Sequence, residues 1–265
     1  MLDIIVCLKQ VPGTTEVEID SERGTLKREG VDSRTNVHDL HALELALALK
    51  QEHGGQITVI SMGPPQAAAV IKEAYTLGAD RGILLSDRKF AGADTLATAF
   101  TLAQAIKKLS TFDLVLTGMQ TTDGDTAQVG PALAETLGIT HVSYVKDCLQ
   151  VMPGSSVTLR AEMSDFTETL RVSFPCLLTC TKEVAEPRLP SYRLKVATQS
   201  KPIEVWTYED LKLAEGMEYF GLDGSPTRVE KVFPPSFELQ QETWEAPAGE
   251  LAKRMLEKLE ELKVL

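Results

Sequence analysis

The chain has 265 residues, 43% of them hydrophobic, and carries a formal net charge of −11. This length suits one large domain or one domain with an arm, and the acidic balance argues against general nucleic-acid binding, which needs basic surface to displace counterions. No apolar run approaches the length of a membrane span, and the start, MLDIIVCLKQVP, lacks the basic region and long apolar core of a signal peptide. A cytoplasmic protein is therefore predicted.

Strands and helices are predicted to alternate from the start of the chain. The β-rich runs are DIIVCL, ITVISMG, GILLS and DLVLTG. Helical patterns follow them in LHALELALALKQEHGG, PPQAAAVIKEAYTLGA, DTLATAFTLAQAIKKL and ALAETLG, with Asp94 or Thr95 as the cap of the third. This alternation predicts an α/β fold, a doubly wound and mostly parallel sheet. The strand-to-helix loops then lie at its carboxyl edge, where ligands bind near the point at which strand order reverses.

The pattern changes after about His141. HVSYVKDCLQV, SSVTLRAEM and ETLRVSFPCLLTCT are strand-like and predict antiparallel strands that extend the sheet. The chain ends in an amphipathic helix, expected to dock on its own domain or on a partner through the stripe Leu251, Met255, Leu259 and Leu262. We predict a nucleotide-binding α/β domain at 1–186 and, at 187–265, a recognition loop and a C-terminal arm that packs on a partner subunit.

Glycine or proline follows each of the predicted parallel strands, in KQVPG, MGPP, DRKFAGADTLAT and GMQTTDGDTAQVGP. Glycine permits close backbone approach and helix N-termini offer free N–H groups, so these loops predict a phosphate-binding edge. In the last loop Gly124 is expected to permit a tight turn, and Asp125 or Thr126 to cap the helix. The amides expected to face a diphosphate are those of Thr126, Ala127, Gln128 and Val129. A plain turn with a cap is the alternative, because generic nucleotide-binding fingerprints are absent.

Metal and catalytic patterns are weak. Asp123 and Asp125 fit magnesium, but a solvated loop with one capping aspartate is favoured. His38 and His41 lack a third ligand, so a capping or surface role is favoured. The four cysteines are interpreted as small buried apolar residues. With no nucleophile elbow visible, the residues alone predict an α/β domain that binds an adenine nucleotide.

Several segments resemble the β subunit of electron transfer flavoproteins, over nearly the whole chain. They are VCLKQVP, the Asn36-x-x-Asp39 helix entry, SMGPPQA, ADRGILLSDRKFAGADTLAT and GMQTTDGDTAQVGPALAE. The resemblance implies a sheet of the adenine nucleotide α-hydrolase type and a heterodimer with a larger α subunit. FAGADTLAT and DGDTAQVGP resemble the electron-bifurcating branch, which implies FAD as the cofactor; AMP, held by ordinary members, is the alternative. Val37 and His38 depart from the proline and aromatic residue that the family usually has there.

The resemblance also implies which residues contact the cofactor. They are Cys7, Lys9, Val11, Pro12, Asn36, Asp39, Met62, Asp94, Thr95 and Thr98, together with the continuous run Thr121, Thr122, Asp123, Gly124, Asp125, Thr126, Ala127, Gln128, Val129, Gly130, Pro131 and Ala132. That run is expected to cradle the phosphates. EPRLPSYRLKVA matches the family's recognition loop, in which a leucine, here Leu189, anchors a partner dehydrogenase. An ordinary proline-bounded surface loop is the alternative.

The resemblance implies flavin-based electron bifurcation and no catalytic side chain in this chain. A hydride from NADH is accepted only in complex with the α subunit. One electron then goes to ferredoxin or flavodoxin, and the other goes through the α-subunit FAD to an acyl-CoA or other dehydrogenase. The alternatives are a non-bifurcating carrier with structural AMP, an ATP-binding signalling module and an adenylating ligase. The long C-terminal arm argues against the signalling module, and KQVPGTT, which is not a Ser-Gly-Gly loop, argues against the ligase.

Overall fold

The computed structural model describes residues 1–13, 33–109, 111–211, 219–230 and 242–264. Its helices are α1 (Val37–His53), α2 (Ala68–Leu77), α3 (Thr95–Lys108), α4 (Val129–Leu137), α5 (Tyr192–Ala197), α6 (Tyr208–Leu211) and α7 (Ala248–Glu261). Its strands are β1 (Leu2–Cys7), β2 (Gln10–Pro12), β3 (Ser33–Thr35), β4 (Gly55–Met62), β5 (Arg81–Leu85), β6 (Leu114–Gly118), β7 (Thr140–Met152), β8 (Ser156–Glu162), β9 (Thr167–Ser173), β10 (Cys176–Cys180) and β11 (Glu204–Trp206).

In the described part of the chain, nine strands form one sheet in the order β11-β5-β4-β1-β6-β10-β7-β8-β9. Pairing is parallel from β11 to β7 and antiparallel from β7 to β9. Consecutive strands run outward from β1 through β4 to β5, and the chain then returns to β6 on the other side of β1. The strand order therefore reverses between β1 and β6, which makes their carboxyl ends the topological switch point.

Helices cover both faces of the sheet because the central strands are apolar on both sides. In β4, Ile57 and Val59 pack in the cluster that holds α1 and α2, whereas Ile60 packs with α3 and α4. Alternation of this kind follows from the two-residue period of a strand. Gly78, with a φ of 126°, ends α2. The predicted doubly wound, mostly parallel α/β fold is confirmed.

The strands after α4 differ in part from the prediction. β7, β8 and β9 are antiparallel neighbours, as expected. The segment ETLRVSFPCLLTCT, however, divides into β9 and β10, and β10 lies parallel between β6 and β7 near the middle of the sheet. Its residues Cys176–Cys180 are all buried, which fits a strand covered on both faces. The short strand β11 and helices α5 and α6 were not predicted, since each spans too few residues to show a period.

By contacts the chain divides into two units, Met1–Glu230 and Lys231–Leu265. The second contains α7, the predicted terminal helix, in which no side chain is buried. Of the predicted stripe, Met255 is 52% and Leu262 59% exposed. The division at residue 186 and the packing of the arm on a partner stay predictions. Among the described residues, no helix is both long enough and apolar enough to cross a membrane.

Candidate functional site

The switch point of the sheet is held together by one buried carboxylate. Asp39, on the first turn of α1, is 5% exposed. Its Oδ2 accepts from the Lys9 amide at 2.7 Å, and its Oδ1 accepts from the Gly118 amide at 3.1 Å and from Asn36 Nδ2 at 2.9 Å. Lys9 follows β1 and Gly118 ends β6, so the Asp39 side chain joins the two strand ends at which the strand order reverses.

Asn36 extends this connection to the loop before α4. Its side chain is fully buried and donates from Nδ2 to the Gln120 carbonyl at 2.9 Å. Its Oδ1 accepts from the Thr122 amide at 3.3 Å, and its own amide donates to the Lys9 carbonyl. Asn36 and Asp39 were predicted as cofactor contacts. Their polar atoms position the loops that surround the site, and their contact with a cofactor stays a prediction.

Lys9 also crosses the site with its side chain. Its ammonium lies 2.7 Å from Asp123 Oδ1 and 2.8 Å from Oδ2. Partial burial acts to raise the pKa of Asp123, but the Lys9 hydrogen bond and charge outweigh it, and the pKa lies below its ordinary value. Asp123 thus serves as the counter-ion of Lys9. Among the described residues, no group of three or more His, Cys, Asp or Glu side chains could hold a metal ion.

The loop before α4 presents unpaired amides at this edge. Within the described residues, no acceptor contacts the N–H groups of Thr126, Ala127 or Gln128. Ala127 has a φ of 54° and Gln128 is right-handed, with a φ of −98°. Successive residues of opposite hand turn their N–H groups toward one side and form an anion-binding concavity. The helix N-terminus that follows adds a partial positive charge. These residues therefore fit a phosphate group.

The cap predicted for this loop is wrong, whereas Gly124 does lie in a turn, in which the Asp125 amide donates to the Thr121 carbonyl at 3.0 Å. The left-handed residues of the loop are Asp125, with a φ of 53°, and Ala127. An added Cβ at Gly124 would meet only Thr121 Oγ1, at an ordinary 3.5 Å. Neither Asp125 nor Thr126 caps the helix, because α4 begins at Val129 with Gln128 before it and no side-chain cap. The predicted cap is wrong because Asp125 and Ala127 have a left-handed backbone, so the helix begins only after them, at Val129.

A second helix, α3, begins beside this loop. Asp94 caps it, as predicted, and its Oδ1 accepts from the amides of Leu96 and Ala97. Its Oδ2 accepts from the amide and hydroxyl of Thr227, so both carboxylate oxygens have partners within the chain. Thr95 Oγ1 donates to Gln128 Oε1 at 3.2 Å and links the starts of α3 and α4. Thr98 is partly buried on the first turn of α3.

The remaining predicted contacts differ in their exposure. Cys7 ends β1 with 9% exposure, and burial raises its pKa to about 12, so its thiol is neutral. Val11 is 1% exposed in the ribbon that β2 forms with β3, next to the partly buried Pro12. Met62 ends β4 and is partly buried. A buried side chain can still lie behind a ligand, but Cys7 and Val11 offer little surface to one.

Sequence reasoning missed the glycine and the hydroxyls that support the site. A Cβ at Gly118 would lie 2.5 Å from Asp39 Oδ1, so only glycine allows that carboxylate to come close. Ser225 Oγ accepts from the Asp94 amide at 2.8 Å, and Thr227 completes the contacts of Asp94. The TG dipeptide at the end of β6 was a usable signal for the glycine. The distant hydroxyls gave none.

The loop that contains Leu189, which was predicted to be a recognition loop, is firmly attached to the domain. The Arg188 guanidinium donates to the Glu44 carboxylate of α1 at 2.7, 2.8 and 3.0 Å, and the Arg188 amide donates to it at 3.1 Å. The Ser191 amide donates to the Thr76 carbonyl, and His41 Nδ1 donates to the Ala185 carbonyl at 2.7 Å. Leu189 itself is 88% exposed, and two more apolar side chains nearby are exposed, Tyr192 at 81% and Val196 at 57%.

We expect Asp39 to make folding stability depend on pH. Burial raises its pKa from 3.8 to about 7, although the hydrogen bonds from Asn36, Lys9 and Gly118 oppose this. The native state then holds this proton more tightly than the unfolded chain does. The contribution to stability is therefore complete below about pH 4 and is lost as the pH rises through about 7. At about 1.4 kcal/mol per pKa unit, the loss reaches at most about 4 kcal/mol.

Urea unfolding at intervals of about one pH unit, from about pH 4.5 to about pH 8.5, measures this effect. Asp39→Asn is the matched variant, because it keeps the shape and cannot titrate. The free energy of unfolding is expected to fall with rising pH more steeply in the original protein than in Asp39→Asn. Equal slopes for the two proteins would contradict the raised pKa.

This fold and site define a class, the open doubly wound α/β proteins that gather polar loops and a helix start at the switch point of the sheet. The electron transfer flavoprotein domain family matches residues 23–211. The electron transfer flavoprotein subunit beta of Clostridium acetobutylicum is 46% identical over 260 residues, 98% of each chain. The chain therefore belongs to the electron transfer flavoprotein family and is similar to its β subunits.

Two further relatives carry more specific names. The caffeyl-CoA reductase-Etf complex subunit CarD of Acetobacterium woodii is 47% identical over 233 residues, 88% of this chain and 87% of that protein. Protein FixA of Azorhizobium caulinodans is 40% identical over 247 residues, 91% of this chain and 88% of that protein. The predicted family is confirmed by these similarities.

Proposed function

We propose that this chain is the β subunit of a heterodimeric electron transfer flavoprotein that binds FAD at the carboxyl edge of its sheet and takes part in electron bifurcation. FAD held there would supply the redox chemistry, namely uptake of a hydride from NADH and separate transfer of its two electrons, one to ferredoxin or flavodoxin and one through the α-subunit FAD to an acyl-CoA or other dehydrogenase. NADH oxidation is expected only in complex with the α subunit. The cytoplasmic location stays a prediction.

The observation that carries this proposal is the row of unpaired amides at the switch point. The N–H groups of Thr126, Ala127 and Gln128 meet no acceptor among the described residues. A diphosphate bound there would accept from them and lie at the positive end of α4. Lys9 adds a cation at the same edge, held 2.7 Å from Asp123. Similarity to a subunit of a caffeyl-CoA reductase-Etf complex supports an electron transfer flavoprotein whose partner enzyme acts on a CoA ester.

The side chains of this chain would position the cofactor rather than exchange protons. Asp39 and Asn36 fix the relative positions of the strand ends, because their polar atoms bind amides and carbonyls on both sides of the site. The Thr95 hydroxyl and the Gln128 side chain join the two helix starts. The Cys7 thiol, whose pKa burial raises to about 12, is neutral and adds no charge beside a flavin.

Counting cofactors tests the proposal and separates it from the AMP alternative. The chain is co-expressed with its α subunit, the purified heterodimer is denatured, and the released cofactors are identified by mass and measured by absorbance. Two FAD molecules per heterodimer are expected. One FAD and one AMP would instead identify a non-bifurcating electron carrier. A colourless chain that binds ATP without a partner would contradict both.

We propose Leu189 as an anchor for the partner dehydrogenase. Its side chain is almost fully exposed while the neighbouring backbone is fixed by the Arg188–Glu44 and Ser191–Thr76 contacts. An apolar side chain on a fixed backbone loses less conformational entropy on binding than one on a flexible loop, and a few such anchors dominate interface energies. Tyr192 and Val196 enlarge the apolar surface beside it.

Leu189→Ala is expected to weaken coupling to the dehydrogenase about tenfold, since a truncated anchor typically costs over 1 kcal/mol. The concentration of heterodimer that half-saturates the dehydrogenase measures this effect, and flavin content is expected to stay unchanged. Val229→Ala is the control, because Val229 is also exposed, at 82%, but lies outside the recognition loop. Half-saturation at the same concentration for all three proteins would remove Leu189 from the interface.

A further inference from the structure

A short segment near the end of the first unit crosses the loop before α3. We name residues 219–227 the strap. Phe220 anchors it, because its side chain is 3% exposed and its ring centroid lies 5.1 Å from that of Phe100 in α3. At Gly221 the strap comes so close to the loop that an added Cβ would overlap the Lys89 carbonyl oxygen. The strap therefore lies directly on the backbone of that loop.

The far end of the strap is attached to Asp94, the cap of α3, by two hydroxyl residues. The Thr227 amide and hydroxyl both donate to Asp94 Oδ2, at 3.1 and 2.8 Å. Ser225 Oγ accepts from the Asp94 amide at 2.8 Å and donates to the Gly221 carbonyl at 2.7 Å. We name these contacts the latch. They join the strap to the residue on which the start of α3 depends.

The latch leaves the Asp94 carboxylate little freedom. Its other oxygen, Oδ1, accepts from the amides of Leu96 and Ala97 at 3.0 and 3.1 Å. Burial acts to raise the pKa of Asp94, but hydrogen bonds from Ala97, Thr227 and Leu96 outweigh it, and the pKa lies below its ordinary value. Hydrogen bonds to an ionised carboxylate are stronger than those between neutral groups. Because the carboxylate is planar, Thr227 also fixes the direction of the oxygen that caps α3.

The start of α3 is connected in turn to the amides that are proposed to bind the cofactor. Thr95, which follows Asp94, donates from Oγ1 to Gln128 Oε1 at 3.2 Å. Gln128 directly precedes α4, and its amide is one of the three without an acceptor among the described residues. A continuous series of contacts therefore leads from Thr227 to the predicted phosphate site.

We propose that Ser225 and Thr227 are positioning residues for the cofactor: by fixing Asp94 they hold the start of α3, and through it the amides before α4, in the arrangement that binds the nucleotide. Coupling of this kind is reciprocal, so a bound nucleotide also stabilises the latched strap. Thr227 is exposed, and exposed segments open more readily than the core. The inference rests on the proposed function, because that function assigns the nucleotide to the amides before α4.

Nucleotide affinity tests the role of Thr227 without any turnover. The purified heterodimer is dialysed to remove the nucleotide of this chain and titrated with the nucleotide found in the original protein, which is FAD in the proposed function. Thr227→Val removes the hydroxyl and keeps the shape and the backbone amide. We expect it to weaken binding by about fivefold to tenfold, the lower part of the usual range for coupling between sites. Thr227→Ser retains a hydroxyl and is expected to restore the affinity.

Thr207→Val is the matched control variant. The Thr207 amide and hydroxyl both donate to Asp210 Oδ2, at 2.8 and 2.9 Å, so the same kind of contact is lost directly before α6. This variant is expected to bind the nucleotide like the original protein. Equal affinity in Thr227→Val and the original would overturn the inference, and so would an equal loss in both threonine-to-valine variants.

Hydrogen exchange of the strap tests the reciprocal effect, which a purely structural contact would not show. We expect the nucleotide to slow exchange of the backbone amides of residues 219–227 about fivefold in the original protein and in Thr227→Ser, and to leave it unchanged in Thr227→Val. Residues 204–211, which contain the Thr207–Asp210 contact, are expected to exchange at the same rate with and without nucleotide. Strap exchange that does not depend on the nucleotide would overturn the inference. A lower unfolding temperature of Thr227→Val at unchanged nucleotide affinity would overturn it too and assign the latch to folding alone.

The original heterodimer separates this inference from the proposed function. If it holds FAD in this chain and Thr227→Val binds FAD equally well, only the latch inference fails. If it holds AMP instead, the bifurcating function fails, and titration with AMP decides the latch inference by the same criteria. If it holds neither nucleotide, the proposed function fails, and the latch inference fails with it.

Discussion

Asp39→Ala is expected to destabilise the protein by about 3–5 kcal/mol, because it leaves three buried donors without an acceptor. Those donors are the amides of Lys9 and Gly118 and the side-chain amide of Asn36, at 2.7, 3.1 and 2.9 Å. Asp39 is 5% exposed, so water cannot easily replace its carboxylate. The measurement is the free energy of unfolding in urea, followed by circular dichroism.

Two variants provide controls for this experiment. Asp39→Asn retains one acceptor oxygen but turns an N–H group toward a donor, so an intermediate loss of about 1–3 kcal/mol is expected. Asp223→Ala removes an exposed carboxylate, and its effect is expected to stay within about 0.5 kcal/mol. If the free energy of unfolding of Asp39→Ala were within about 1 kcal/mol of that of the original protein, the Asp39 hydrogen bonds would not stabilise the switch point.

Gly130→Ala is expected to remove the cofactor from this chain. Gly130 is buried on the first turn of α4, where a Cβ would lie 2.5 Å from Thr179 Cγ2 and 3.1 Å from Thr117 Oγ1. Thr179 cannot easily turn aside, because its Oγ1 accepts the Tyr144 amide. The start of α4 must therefore move away from the sheet, and the amides before it move with it. Overpacking of this kind costs about 1–3 kcal/mol.

The cofactor content of the purified heterodimer measures this effect. We expect the affinity for the cofactor to fall at least about tenfold, which corresponds to about 1.4 kcal/mol. Gly124→Ala is the matched control from the same loop. Its Cβ would meet Thr121 Oγ1 at an ordinary 3.5 Å, so we expect a normal cofactor content. Equal content in Gly130→Ala and the original protein would show that the position of α4 does not determine binding.

The parallel half of the sheet was predicted well from the sequence, because long apolar runs and helical periods are local patterns that neighbouring residues alone reveal. The runs DIIVCL, ITVISMG, GILLS and DLVLTG correspond to β1, β4, β5 and β6. The place of β10 could not be predicted, since CLLTC has the same apolar pattern in a parallel and an antiparallel pairing. Strand order depends on long-range packing, which no local period records.

At the site, the hydrogen bonds within the chain could not be predicted from the sequence. Asn36 and Asp39, whose contact with the cofactor stays a prediction, use their polar atoms to join the strand ends. The role of a side chain depends on contacts with residues far away in the sequence. Thr227, for example, donates a hydrogen bond from its hydroxyl to the Asp94 carboxylate. The left-handed backbone at Asp125 and Ala127 was equally hidden, because aspartate and alanine do not mark that conformation as glycine does.

The long strand β7 has two roles along its length. Residues Thr140–Val145 pair with β10, whereas Val145–Met152 pair with β8 and continue past the parallel sheet. The turn between β8 and β9, which contains Met163, is thus carried on a hairpin and not on the central strands. Substitutions in that turn are therefore expected to leave the packing of the parallel strands unchanged.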